Sequence, residues 1–147
     1  MAAYTDSLGF NKGTAAYPDA TRGAVHKFEV LLDFAAIAAA RSAAGAAALA
    51  STDTLEIIPL PAGSVVMAAG AQVLTVEGAA ATVDLGDSGS ATRYLSNFDL
   101  NATSNSASAL AEPYYVATAA PIRLTIDSNN VDVAKVRVWA LVADAAA

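Results

Sequence analysis

Three features of the chain predict a mainly β protein: a jelly-roll-like antiparallel β-sandwich with one short alanine-rich helical insertion and an extended N-terminal arm. Apolar residues recur at every second position in short runs, as in Phe28, Val30 and Leu32 or Ile122, Leu124 and Ile126, the signature of strands with one buried face. Clusters of Gly, Pro, Asn and Asp separate these runs at the spacing of sandwich strands. The 147 residues contain no cysteine, yet a chain of that length can bury a single core without disulfide or metal support.

Residues 1–25 read as the arm and 26–147 as the domain. Gly9, Gly13, Pro18 and Gly23 lie too close together for a long regular element. Tyr4, Leu8, Phe10 and Tyr17 make the segment too apolar for a purely solvated tail, so they are expected to be assembly contacts that rest on a neighbouring surface. From Lys27 the alternation sets in and predicts a strand over 26–33. Asp33 then stands where its carboxylate can cap a helix, and Phe34 to Arg41 has alanine's helical propensity, with Ser42 and Gly45 to stop it.

Further strands are predicted at 54–60, 64–67, 71–77, 80–85, 92–95, 114–117, 121–126 and 133–142, with Pro59 and Pro61 marking a strand end. In the last run the second face passes from Lys135 and Arg137 to Trp139 and Leu141, which predicts a later half covered on both sides. Residues 86–111, rich in Ser, Asn, Gly and Asp, are expected to form long exposed loops anchored only by Tyr94-Leu95 and Phe98 to Leu100. Asp127-Ser-Asn-Asn is a turn. Much of the 55% hydrophobic content is alanine, which contributes little on burial, so the core must come from the fewer Val, Leu, Ile and aromatic residues.

Composition excludes several classes. The most apolar stretch, 34–50, is broken by Arg41, Ser42 and Gly45 and is no membrane span. The first residues lack the basic and apolar regions of a secretory signal, which predicts synthesis for the cytoplasm. A net charge of −6 with eight Lys plus Arg argues against nucleic acid as a partner.

No catalytic constellation is legible, and the chain reads as a non-enzyme with no cofactor and no metal. His26 is the sole histidine, so any triad would depend on it, and its place before a strand gives no reason to expect one. Asp84 and Asp87 are the most concentrated carboxylates; a carboxylate-based glycosidase would need such a pair, but a turn with solvated acids is the simpler reading. Asp127 with Asn129, Asn130 and Asp132 offers oxygen ligands for calcium, yet Asp132 and Val138 stand where an EF-hand loop has glycine and glutamate. Leu85-Gly-Asp-Ser-Gly-Ser lacks the Lys-Ser or Lys-Thr of a phosphate loop.

Phe28-Glu-Val-Leu-Leu-Asp-Phe-Ala, Leu55-Glu-Ile-Ile-Pro-Leu-Pro-Ala-Gly-Ser-Val-Val, Val83-Asp-Leu-Gly-Asp-Ser-Gly, Tyr94-Leu and Lys135-Val-Arg-Val-Trp-Ala, in that order, resemble small structural proteins of tailed bacteriophages, in particular head decoration (cement) and head-fibre-like proteins. The resemblance implies a homotrimeric β-sandwich of the virion, made in the host cytoplasm, that binds the major capsid protein of an assembled head and stabilises it. A second reading is a carbohydrate- or host-receptor-binding module of a fibre or tail, with Asn97, Asp99, Asn101, Asn105, Tyr114 and Tyr115 as an outward binding loop.

Overall fold

Among the described residues the strand periodicities are realised as nine strands and one helix. A computed structural model describes residues 25–103, 105–106 and 113–144. Along the chain these form β1 (Val25–Asp33), α1 (Phe34–Ala43), β2 (Thr54–Ile58), β3 (Ser64–Thr75), β4 (Thr82–Gly86), β5 (Leu95–Asp99), β6 (Asn105–Ser106), β7 (Tyr114–Tyr115), β8 (Ile122–Ser128) and β9 (Lys135–Asp144). The arm residues Tyr4, Leu8, Phe10 and Tyr17 lie outside the described residues.

Two antiparallel sheets result. One runs β1-β9-β3, with β6 and β7 both paired to β3; the other runs β2-β8-β4-β5. The pairings nest: β4 with β5, then β3 with β6 and β7, then β2 with β8, then β1 with β9. Successive nested pairs alternate between the sheets, as when one long hairpin is folded over itself, and this is the jelly-roll form of a β-sandwich.

The core comes from the alternating positions. Ile122, Leu124 and Ile126 of β8 and Val136, Val138, Ala140 and Val142 of β9 are buried, as are Val83 and Leu85 of β4. Each larger aliphatic side chain contributes about 1.5–3 kcal/mol relative to exposure. Asp33 caps α1 by accepting from Ala36 N–H at 3.2 Å, and Lys135 Nζ reaches its other oxygen at 3.0 Å. Beyond the helix, Gly45 adopts φ +72°, a backbone state that favours glycine.

Three expectations are corrected. Runs 64–67 and 71–77 are one strand, β3, with a bulge between Val66 and Ala68. The bulge moves the buried set from Val66 to Ala69, Ala71 and Val73, so an unbroken strand reads as two. In the 86–111 region the expected anchors Tyr94, Leu95, Phe98 and Leu100 are core residues, but the strand lies at 95–99 in place of 92–95. Its irregular spacing follows from the shifted register between Val83 and Leu85 and from Asn97 at φ 53°. On β9, Arg137, Trp139 and Leu141 are half-buried, so that half is not covered on both faces.

Candidate functional site

The loops gather at the two ends of the sandwich, and each end is organised by a carboxylate. After β3 the chain turns at Glu77-Gly78. The Glu77 side chain, only 6% exposed, accepts from the N–H groups of Asp132, Val133 and Ala134 at 2.9, 3.0 and 2.7 Å. It thereby ties the β3–β4 loop to the β8–β9 loop. Neighbouring bonds extend the tie: Asn129 Nδ2 donates to Ala80 C=O at 2.6 Å and Gly78 N–H to Asn101 Oδ1 at 3.2 Å. Burial pushes the Glu77 carboxyl up, but the N–H groups of Asp132, Ala134 and Val133 outweigh it and hold the group below the usual glutamate range. Asp132 is pushed up by its hydrogen bond to Glu77 and by that charge.

At the opposite end, the β4–β5 loop closes on Asp87. Its Oδ1 accepts from Gly89 and Ser90 N–H at 2.8 and 2.9 Å, and its Oδ2 receives Arg93 Nε at 2.5 Å. Burial raises the Asp87 carboxyl, yet the Arg93 bond and the two N–H groups leave it lowered. The Arg93 guanidinium lies 3.8 Å from the centroid of the Tyr114 ring, a cation–π contact. Leu60, Asp87, Gly89, Tyr94, Tyr114 and Val116 border a cavity of about 260 Å³ beside this cluster. Burial pushes the Tyr94 phenol up, and the charge of Asp87 adds to the shift.

Asp84 and Asp87 are therefore not solvated turn acids. Asp84, 7% exposed, accepts from Asn97 N–H at 2.8 Å, and Asp87 is neutralised by Arg93. Asp127 accepts from Thr82 Oγ1 at 2.9 Å. The described residues include no cluster of three or more His, Asp or Glu disposed to hold a metal. His26 is exposed on β1.

The proposed outward-binding residues fall in different places. Tyr114 borders the cavity with one ring face against Arg93, whereas Tyr115 is 57% exposed. Asn97, Asp99 and Asn101 lie on β5 and the turn after it. There Asp99 accepts from Asn101 N–H at 2.8 Å, and none of the three borders the cavity. Asn105 pairs with Gln72 in the β3–β6 ladder. Glu77 was not among the sequence-derived candidates; its only signal is a lone acid between the apolar end of β3 and Gly78.

No known protein family matches the chain, and no curated protein matches it in sequence. Solved structures do match over nearly the whole length. A chain in the cyanophage Pam1 capsid asymmetric unit superposes with a TM-score of 0.63 at 20% identity, over 95% of this chain and 96% of that one. A chain in the acidic stable capsid structure of Helicobacter pylori bacteriophage KHP30 gives 0.58 at 12% identity, over 83% and 89%. One in the capsid of Ralstonia phage GP4 gives 0.57 at 14%, over 88% and 90%. At these identities the likeness is one of fold.

Proposed function

We propose that this chain is a structural subunit of a bacteriophage virion, a decoration (cement) protein that binds the major capsid protein of the assembled head. The observation that carries the reading is the whole-chain fold likeness to chains in three phage capsid structures. The likeness runs over 83–95% of this chain and 89–96% of those chains, so it supports the reading over nearly the whole fold. The resemblance of its strand and turn segments to small phage structural proteins points to the same class. In this reading the protein is a homotrimer, and binding stabilises the shell by mass action, since it favours the assembled state over the dissociated one.

Mass spectrometry of purified virions is the first test, with many copies per particle expected; absence from the particle overturns the reading. The decoration role makes a further demand. Mild denaturant should release the protein while the heads stay closed, and purified protein added back should raise the temperature at which they open. Heads that fall apart as the protein leaves would make it a shell-forming subunit instead.

A further inference from the structure

β1 pairs only with β9 among the described residues, which makes it an edge strand of the described sheet. It is nine residues long, without proline, and leaves Val25 53%, Phe28 42% and Leu31 58% exposed. Such an edge, with backbone donors and acceptors beside apolar side chains, is a template for another strand. Pairing with β9 sets His26, Phe28, Val30 and Leu32 opposite the buried Val142, Ala140, Val138 and Val136, which defines the core side. Val25, Lys27, Glu29 and Leu31 alternate with them on the outer side. The core side is open at this edge, where His26 and Phe28 border a groove of about 200 Å³ with Pro59, Leu60, Pro61 and Val142.

We propose that a second copy of this chain pairs its own β1 with this edge, antiparallel, about a two-fold axis through Phe28. Side chains alternate with period two, so only an axis through a residue keeps core side against core side. An axis through Lys27 or Glu29 sets like charges opposite one another. An axis through Val30 turns Val25 and His26 toward the first residues of α1, and an axis through His26 pairs a shorter stretch. With the axis on Phe28, Lys27 faces the partner's Glu29 and Val25 faces the partner's Leu31, each twice by symmetry. The two Phe28 rings meet at the axis beside the groove. Within one chain Lys27 Nζ already contacts Glu29 at 2.6 Å, and Glu29 contacts Arg137 Nε at 2.9 Å, so the pairing joins two existing charge networks. The interface is isologous, as two-fold contacts are, and it does not depend on the virion reading.

Charge exchange tests it. Sedimentation velocity over a concentration series should show reversible doubling of the dilute species, and hydrogen exchange should show β1 amides gaining protection as it forms. K27E and E29K should each weaken association by about tenfold or more, because two opposite-charge cross-strand pairs become like-charge pairs. K27E/E29K should restore it to within about threefold of the parent, with melting curves confirming that every variant is folded. Absence of concentration-dependent association overturns the proposal. So does association that ignores the single substitutions, or a double variant no better than the singles.

Discussion

Replacing Glu77 with alanine removes the acceptor that joins two loops at one end of the sandwich. Three N–H groups lose their partner, and they are not equivalent. Ala134 is fully buried, so its N–H has no water to turn to, a loss of about 1–3 kcal/mol. The Asp132 and Val133 bonds are partly buried, and each is worth about 0.5–1.5 kcal/mol. The expected destabilisation is therefore about 2–6 kcal/mol, or roughly 6–20 °C in Tm for a domain of this size. The effect has a pH signature. Because the folded Glu77 carboxyl sits below its ordinary 4.5, its contribution is complete above that pH and fades as pH falls through the lower folded value. The gap between parent and E77A in thermal melts should thus be widest near neutrality and narrow below pH 4.5. An E77A protein that melts within about 1 °C of the parent at pH 7 would refute the claim that this carboxylate holds the loops.

The neighbouring Asp132 has the opposite sign: its raised pKa means that ionisation costs stability above its ordinary 3.8, so D132N should raise Tm at pH 7 and lose that advantage in acid. Gly86→Ala places a Cβ 2.1 Å from Ser90 C=O and 2.4 Å from Ala91 backbone atoms; with no flexible side chain to yield, a loss of about 3 kcal/mol or more is expected in denaturant titration. Arg93→Ala leaves Asp87 with two N–H donors but no counter-charge in a mostly buried setting, and calorimetry should find a loss of about 2–3 kcal/mol, discounted for the residual exposure of the pair. Deleting residues 2–22 should leave circular dichroism and Tm of the β-domain nearly unchanged, because the core is built from residue 30 onward; under the proposed function it should also weaken binding to heads in a sedimentation assay, and unchanged binding would exclude the arm as a connector.

The elements legible in the sequence are those where one periodicity persists. β8 and β9 keep their alternation over most of their length, β1 keeps it in Phe28, Val30 and Leu32 although Phe28 is 42% exposed, and Asp33 before an alanine-rich run announces both the cap and the helix. The bulge after Val66 defeats this logic, because it moves the inward set from even to odd positions within one strand. The same holds between Tyr94 and Leu100, where bulged pairing and the left-handed Asn97 give a buried set that fits no simple period. The site residues were harder still. Asp84 and Asp87 are visible as acids, but the partners that immobilise them are a backbone N–H thirteen residues on and an arginine across the loop. Glu77 is bound to groups more than fifty residues away, a distance that no local pattern reports.

That distribution of carboxylates bears on what the molecule can do. A general acid or base must exchange a proton with a substrate, which requires a lone pair free to meet it and a pKa near the working pH. Glu77 and Asp87 have the reverse arrangement: fixed N–H donors or a guanidinium occupy their oxygens and hold both groups in the ionised form. Their chemistry is spent inside the fold, where they fasten the loops at opposite ends of the sandwich. Among the described residues, fastened ends leave the sheet faces and edges as surfaces that can make contacts. On the β1–β9 side these carry Leu31, Trp139 and Leu141 among the ion pairs of Lys27, Glu29 and Arg137. A half-apolar, charge-patterned surface suits association with other protein surfaces, where the apolar part supplies affinity and the charges choose the register.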